Sequence, residues 1–221
     1  MKRELIVGFD VDGILCEGTT IQTELLLRQK KFNNELAKVS DDYSKERALA
    51  ETVGPFARLL QAVEYQRHKH RSMNVGILKD IKKFKEMQAK KKDLDTKLVV
   101  VSGRSVRMTE LTMKQIREAG FEDLFYGFLL REPGYSSAGW KFRQSNSHLN
   151  AAGIYCQIDD DPLAGYSVLK TQVPEREKYA FVVRGRATNP QLLARAGVAP
   201  HSRLQMVGSV AQALAAISNL K

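Results

Sequence analysis

Two aspartates stand directly after an apolar run near the start of the chain. Residues 5–7 (Leu-Ile-Val) lead into residues 9–13 (Phe-Asp-Val-Asp-Gly), a pattern typical of a buried strand that ends in a site. In open α/β sheets, ligands bind at the carboxyl ends of parallel strands. Asp10 and Asp12 would share one face of a regular strand, and Gly13 would let the backbone turn away. The segment therefore predicts a parallel sheet with a candidate site at Asp10 and Asp12.

Downstream, short apolar runs alternate with amphipathic stretches. Strands are predicted at residues 98–101, 125–130, 154–158, 179–183 and 204–207. Helices are predicted at residues 75–91, 106–119, 141–149, 163–169 and 190–196, with a last helix that Ser209 caps. Strands that alternate with helices imply a mostly parallel sheet covered on both faces. We therefore predict an α/β fold with a Rossmann-like core.

A block that is predicted to be entirely helical interrupts this alternation after the first strand. Its helices are predicted at residues 21–39, at residues 43–53 and from Pro55 onward, where the third helix ends in the basic residues 67–71. We therefore predict a core of residues 1–17 and 75–221 with a helical cap insertion at residues 18–74. The basic helix end is expected to be solvated, and contact with an anionic substrate is the alternative.

Composition limits the kinds of partner that the chain can have. The formal net charge of +10 favours anionic partners such as nucleotides, nucleic acid or phosphorylated metabolites. A solvated basic surface explains the charge equally well. No apolar stretch approaches the roughly 20 residues of a membrane span, and the start of the chain lacks the apolar region of a signal peptide. Cys16 and Cys156 are expected to be buried reduced thiols, which suits a cytoplasmic protein; the oligomeric state stays open.

Chemistry-bearing residues follow two further predicted strands. Ser102, Gly103 and Arg104 follow residues 98–101, and the aspartates Asp159, Asp160 and Asp161 follow residues 154–158. Lys141 precedes that acidic cluster. Carboxylates on two strand ends can hold Mg²⁺, and a lysine and a hydroxyl can orient phosphate oxygens.

Each of these signals also has a purely structural interpretation. The serine-glycine pair at residues 102–103 could be an ordinary strand-to-helix turn, and residues 159–161 could cap the next helix. Lys141 could be an exposed lysine at a helix start. Arg104 could equally be a surface or salt-bridging residue.

Taken together, the motifs resemble those of the haloacid dehalogenase-like hydrolase superfamily, which consists mostly of Mg²⁺-dependent phosphatases. Residues 9–13 resemble its first motif, residues 101–104 its second, Lys141 its third and residues 159–160 its fourth. The order and spacing also suit the superfamily, and the predicted insertion lies where its first type of cap does. Ile14 departs from the commonest residue at that position, a threonine.

The resemblance implies a role for each residue. Asp10 would be the nucleophile that forms an aspartyl-phosphate, and Asp12 would be the general acid and then the general base. Mg²⁺ would be held by Asp10, the backbone carbonyl of Asp12 and Asp160, with Asp159 as an adjacent support. The groups implied to contact the phosphate or the substrate are Ser102, Gly103, Lys141 and Arg104.

A finer resemblance links the chain to the 3′-phosphatase domain of phage-type polynucleotide kinase-phosphatases. It is carried by residues 99–104, 107–109, 131–132, 141 and 158–160. It implies a nucleotide or polynucleotide 3′-phosphate as substrate. The alternatives are a small-metabolite phosphatase or nucleotidase whose cap determines specificity, and a basic nucleic-acid-binding module with little turnover. No P-loop motif is present, so kinase activity is not predicted.

Overall fold

The structure is a computed structural model that describes residues 3–16, 62, 65–66, 68–133, 135, 137–147, 149, 153–170, 176–183 and 201–220. Its strands are β1 (Arg3–Phe9), β2 (Leu94–Ser105), β3 (Gly127–Arg131), β4 (Ile154–Asp159), β5 (Glu177–Val183) and β6 (Leu204–Val207). They form one parallel sheet in the order β3-β2-β1-β4-β5-β6. The strand order changes direction between β1 and β4, which is where such a sheet opens a crevice for ligands. This confirms the predicted α/β class with a Rossmann-like core.

Helices cover both faces of this sheet. The helices of the described residues are α1 (Val75–Gln88), α2 (Thr109–Glu118), α3 (Ser137–Asn146), α4 (Pro162–Leu169) and α5 (Val210–Ser218). A single 3-10 turn (Val106–Met108) leads into α2. The first, second and fifth helices bury side chains in the larger core, and α1 packs against α5. On the opposite face α4 adds Val168 to the smaller core, and α3 packs against α4.

Side-chain alternation along β1 decides which helix layer meets the candidate site. Leu5, Val7 and Phe9 belong to the larger core, whereas Ile6 belongs to the smaller core on the other face. Successive residues of a strand point to opposite faces. Asp10 continues the series of Ile6, so it lies on the side of the sheet that α3 and α4 cover.

Most predicted elements outside the insertion are present, although several of their ends differ. The second strand is longer than the predicted residues 98–101, and α1 ends at Gln88 rather than at residue 91. Ser209 caps α5 as predicted, because its side chain accepts a hydrogen bond from the backbone N–H of Gln212. Several predictions lie outside the described residues, namely the helices at residues 21–39, 43–53 and 190–196 and most of the cap at residues 18–74.

The start of α3 corrects one sequence interpretation. The helix begins at Ser137, so Lys141 lies inside it and is 1% exposed, rather than being an exposed lysine at a helix start. Gly139 lowers the helix propensity of this stretch, which is why the pattern favoured a later start. Burial of Ala138 and Trp140 outweighs that cost.

Residues 15–16 and 73–74, on either side of the predicted insertion, lie next to each other. The backbone N–H of Asn74 donates to the carbonyl of Leu15 over 2.7 Å. Cys16 and Met73 form an isolated antiparallel bridge next to this hydrogen bond. We call residues 68–74 the returning segment, and its first two residues, 68 and 69, are helical.

Two of the predictions from composition can be compared with the structure. Cys16 and Cys156 are free and buried, which confirms the prediction of reduced thiols. Within the described ranges, no helix has the length and apolar character that a membrane crossing requires.

Candidate active site

A tight turn at the end of β1 carries both aspartates. The backbone N–H of Asp10 donates to the carbonyl of Ile158 on β4 over 3.0 Å, which keeps the start of the turn in register with the sheet. Further along, the N–H groups of Leu15 and Cys16 both donate to the carbonyl of Val11 over 2.9 Å. Backbone hydrogen bonds within the turn therefore fix its conformation, and the turn places the two aspartate side chains at the edge of the sheet.

Gly13 is required in this turn for two physical reasons. Its φ is +88°, in the left-handed region that favours glycine. A Cβ at this position would also collide with the carboxylate of Asp160. The glycine thus lets the acidic residue after β4 approach the turn after β1.

Three carboxylates and one ammonium group meet at this edge of the sheet. Asp10, Asp159 and Asp160 each offer an oxygen within 4.8 Å of the others, in a group that could hold a metal ion. The Nζ of Lys141 lies 2.6 Å from Asp159 Oδ2 and 3.2 Å from Asp10 Oδ1. Asp10 Oδ1 is buried and accepts no hydrogen bond of good geometry from the described residues. This oxygen therefore remains open to a cation.

The formal charges in this group do not balance. Three negative side chains face one positive side chain, which leaves two negative charges in excess. Burial would lower the pKa of Lys141, but Asp10 and Asp159 raise it, so the ammonium stays charged. Burial, and after it the charges of Asp10 and Asp159, raises the pKa of Asp160 well above its ordinary value. Such a group fits a divalent cation with oxygen ligands.

Asp159 is the most firmly held carboxylate of the three. Its Oδ2 accepts hydrogen bonds from Lys141 and from Gln157 Nε2, which lies 3.1 Å away. Its Oδ1 accepts the backbone N–H of Asp161 over 3.0 Å. Gln157 is buried in turn and faces Gly8, where a Cβ would come within 2.6 Å of Gln157 Oε1. Both oxygens of Asp159 therefore have protein partners.

Asp12 lies in a cluster of cationic groups. Its Oδ1 accepts hydrogen bonds from Arg71 Nη1 over 2.5 Å and from Arg104 Nη2 over 2.9 Å. Its Oδ2 accepts from Arg104 Nε over 3.0 Å. The Nδ1 of His68 lies 3.5 Å from Oδ1, and the thiol of Cys16 donates to the same oxygen over 3.2 Å.

These contacts decide the ionisation states beside the turn. Burial alone would raise the pKa of Asp12, but the neighbouring His68 imidazole and the hydrogen bonds and charge of Arg104 hold it well below its ordinary value. Burial, followed by the charge of Asp12, raises the pKa of the Cys16 thiol to about 12. In this arrangement Asp12 is a carboxylate and Cys16 is a neutral thiol.

The guanidinium of Arg104 uses every one of its N–H groups inside the protein. Nε and Nη2 donate to Asp12, and Nη2 also donates to Cys16 Sγ over 3.2 Å. Nη1 donates to Thr112 Oγ1 over 3.1 Å and to Gln115 Oε1 over 2.9 Å. A guanidinium has five N–H groups, so none is left for a ligand. Arg104 therefore holds the carboxylate of Asp12 with all of its donors in use, whereas the sequence resemblance implied that Arg104 contacts the substrate.

Ser102 and Gly103 form the turn after β2. The buried Ser102 Oγ accepts the backbone N–H of Arg104 over 3.2 Å. Arg131 Nε donates to the carbonyl of Gly103 over 2.9 Å. A Cβ at Gly103 would collide with the side chain of Ser137, which begins α3. The phosphate contact implied for Ser102 and Gly103 stays a prediction.

Sequence reasoning missed the residues that approach Asp12 from the returning segment. His68 is 7% exposed, so the prediction that this basic helix end is solvated was wrong for that residue. Gln115 Nε2 donates to the carbonyls of His68 and Arg71, over 2.8 Å in each case, and so fixes this segment to α2. The basic run at residues 67–71 was the one available signal. It could not show which of these five side chains are buried.

Comparison with known proteins adds information on the fold. No protein-family model and no curated protein matches the chain. A haloacid dehalogenase-like hydrolase from Streptococcus pneumoniae matches at 14% identity and a TM-score of 0.53, with 96% of this chain and 97% of that one covered. A predicted phosphatase from Clostridium acetobutylicum matches at 17% identity and a TM-score of 0.55, with both chains fully covered.

A third match belongs to a different reaction class. The L-2-haloacid dehalogenase from Xanthobacter autotrophicus, with chloropropionic acid covalently bound, matches at 10% identity and a TM-score of 0.52, again over both whole chains. None of these likenesses tests the finer resemblance to phage-type 3′-phosphatases. The parallel sheet, its helix layers and these whole-chain matches together show that the chain has the fold of the haloacid dehalogenase-like hydrolases.

Proposed function

We propose that the protein is a Mg²⁺-dependent phosphomonoester hydrolase, with Asp10 as nucleophile and Asp12 as general acid and base. The position of the Asp10 carboxylate carries this proposal. Its Oδ1 is buried, lies 3.2 Å from the Lys141 ammonium and belongs to a group of carboxylates able to hold a cation. A carboxylate attacks a phosphate dianion only where positive charge offsets their repulsion, and Lys141 and a cation held by the three carboxylates would supply that charge.

The reaction would proceed in two steps. First, an Asp10 oxygen bonds to phosphorus, the bond to the leaving oxygen breaks, and the protonated form of Asp12 gives that oxygen a proton. Water then attacks the phosphorus of the aspartyl-phosphate while Asp12 takes a proton from the water. The bond between Asp10 and phosphorus breaks, which releases phosphate and restores both aspartates.

The contacts of Asp12 suit the second step directly. Arg71 and Arg104 hold it as a carboxylate, the form that accepts a proton from water. The first step needs the protonated form. That form is favoured when the negative charge of the bound phosphate dianion raises the pKa of Asp12.

Within this proposal, Asp10, Asp160 and the backbone carbonyl of Asp12 would hold Mg²⁺, and Asp159 would support them by fixing Lys141. The firm hydrogen bonding of Asp159 favours this division. Bound Mg²⁺ would polarise the phosphoryl oxygens. Ser102, Gly103 and Lys141 would orient the phosphate, while Arg104 would position Asp12.

Dehalogenation is less well supported by the same geometry. A departing halide needs no proton, so a dehalogenase has no use for an acid at Asp12. The excess of two negative charges around Asp10 calls for a cation before any anion can approach, and a bound Mg²⁺ would also polarise a phosphoryl oxygen. The need for an acid at the leaving oxygen thus favours phosphate over halide.

Hydrolysis of p-nitrophenyl phosphate with Mg²⁺ tests the proposal. The wild type is expected to turn over, and Asp10→Asn is expected to lower kcat by at least about a thousandfold, because it removes the nucleophile. The matched control is Asp80→Asn, an exposed aspartate on α1 that should retain wild-type rates. Asp12→Asn should lower kcat by about a hundredfold or more. A wild type that is inert with Mg²⁺, or that instead releases chloride from 2-chloropropionate, would refute the proposal.

The substrate class is a narrower proposal. The sequence resemblance and the net charge of +10 favour a nucleotide or polynucleotide 3′-phosphate. A panel of 3′-phosphorylated oligonucleotide, mononucleotides and sugar phosphates separates this from a small-metabolite phosphatase. Oligonucleotide turnover should fall steeply with added salt if the polyanion is bound. Equal turnover of all three classes would eliminate the nucleic-acid preference.

A further inference from the structure

Two arginines contact the carboxylate of Asp12, and they differ in how many of their N–H groups are used. Arg104 is saturated, as described above. Arg71 donates from Nη1 to Asp12 Oδ1, but its Nη2 is buried and has no hydrogen-bond partner among the described residues. Buried polar groups of folded proteins are nearly always paired. The unpaired Nη2 is therefore a donor for which the described residues supply no acceptor.

The position of Arg71 is fixed through its main chain. Gln115 binds the carbonyls of His68 and Arg71, and the Asn74 N–H donates to Leu15 at the other end of the same segment. Gln115 also accepts a hydrogen bond from Arg104, so the two arginines share one support. A donor held in this way is preorganised, and it binds an acceptor at little cost in conformational entropy.

Charge and a second unpaired group indicate what that acceptor is. One carboxylate, Asp12, faces the two guanidinium groups of Arg71 and Arg104, which leaves one positive charge in excess. His68 Nδ1 lies 3.5 Å from the same Asp12 oxygen and is likewise buried with no hydrogen-bond partner in the described part of the chain. The surroundings of Asp12 are thus suited to an anion, whereas those of Asp10 are suited to a cation.

We propose that Arg71 selects substrates whose leaving group carries an anionic group of its own, with Nη1 on Asp12 and Nη2 on that anion. This inference rests on the proposed function, in which Asp12 faces the leaving oxygen. A carboxylate or a second phosphate supplies both the acceptor and the negative charge. A nucleotide that carries both a 3′-phosphate and a 5′-phosphate belongs to this class.

Three phosphate esters of primary alcohols test whether Arg71 selects an anionic leaving group. They are propyl phosphate, 3-hydroxypropyl phosphate and 3-phosphooxypropanoate, which differ only in the group at the far end of the alcohol. The wild type should hydrolyse the carboxylated substrate with a kcat/KM roughly tenfold to a hundredfold above that of propyl phosphate, since a charged hydrogen bond has this strength. Arg71→Lys keeps a positive charge near Asp12 but carries all its donors on one nitrogen, which cannot occupy the positions of both Nη1 and Nη2, so it should abolish the preference. Arg117→Gln removes an exposed arginine that pairs with Glu122, and it should keep the preference.

The outcomes separate this inference from the proposed function. If Arg71→Lys lowers turnover of all three substrates in equal proportion, Arg71 acts only through Asp12 and the selection is refuted. If the wild type hydrolyses neither these three substrates nor p-nitrophenyl phosphate, the proposed function fails, and binding then tests Arg71 by itself. Calorimetry should show that 4-phosphonobutanoate binds more tightly than butylphosphonate to the wild type and not to Arg71→Lys. Equal binding of the two phosphonates by the wild type would overturn the inference.

Discussion

Two buried lysines show how partners, rather than residue type, decide what a side chain does. Lys141 lies between Asp10 and Asp159, whose charges outweigh burial and raise its pKa. Lys178, on β5, lies 2.6 Å from the neutral Asn146 Oδ1. Burial, and after it the charge of Arg176, lowers the pKa of Lys178 to about 8. The first lysine is thus a fixed charge of the site, and the second titrates near neutral pH.

This difference predicts how stability depends on pH. Above about pH 8 the folded protein releases the proton of Lys178, whereas the unfolded chain keeps it until its ordinary pKa of 10.5. The unfolded state then binds more protons, so Lys178 makes the free energy of unfolding rise with pH in this range. Urea denaturation at pH 7.5 and pH 9.5 should show this rise in the wild type relative to Lys178→Met. Lys79→Met is the control for loss of an exposed lysine, and a difference that does not change with pH would contradict the prediction.

At the level of residues, the sequence predicted the positions of those side chains that come shortly after a strand. Asp10, Asp12 and Asp160 follow strands directly, so the strand ends bring them to one edge. His68, Arg71 and Gln115 could not be predicted in the same way. Their positions depend on how a returning segment meets α2, which involves contacts between residues far apart in the chain.

At the level of elements, the turn after β1 depends on a glycine that has a useful counterpart elsewhere. Gly13 and Gly120 both have positive φ, at 88° and 83°. A Cβ at Gly120 would meet nothing within 4 Å, whereas a Cβ at Gly13 would collide with Asp160. Substitution at Gly120 would therefore cause backbone strain alone, whereas substitution at Gly13 would cause the same strain and also displace a residue of the site.

Alanine substitution at both glycines should make that separation measurable. Gly120→Ala should lower the free energy of unfolding by about 1–2 kcal/mol, the cost of left-handed backbone, and leave turnover unchanged. Gly13→Ala should also lower kcat/KM by about a hundredfold, because Asp160 must move. Urea denaturation and phosphatase assays on both variants check this. Equal activity in the two variants would show that the Asp160 carboxylate need not lie against the turn.

Element boundaries were the part of the fold that the sequence predicted least well. Hydrophobic patterns identified the strands because each buried strand is a short, nearly continuous apolar run. The start of α3 was missed because Gly139 weakens the local helix signal, while packing of Ala138 and Trp140 decides the outcome. Local propensity is a weak guide wherever tertiary contacts are strong.

At the level of the whole molecule, an excess of negative charge at one sheet edge should make global stability depend on Mg²⁺. A ligand that binds only the folded state stabilises it by about 2.7 kcal/mol at 100 times its Kd. Thermal unfolding should therefore shift to higher temperature with Mg²⁺ in the wild type and in Asp161→Asn. The shift should disappear in Asp160→Asn. Loss of the shift in Asp161→Asn alone would reassign the metal ligand.

The hydrogen bond between Asn74 and Leu15 has a consequence for how such a protein can change over evolution. Because residues 15–16 and 73–74 are neighbours, the two ends of the predicted insertion are already held close together. Each doubling of a loop costs only about 0.6 kcal/mol in closure entropy. Longer, shorter or different inserts can thus be exchanged at this point with little effect on the sheet, while Asp10 and Lys141 keep their places and their chemistry.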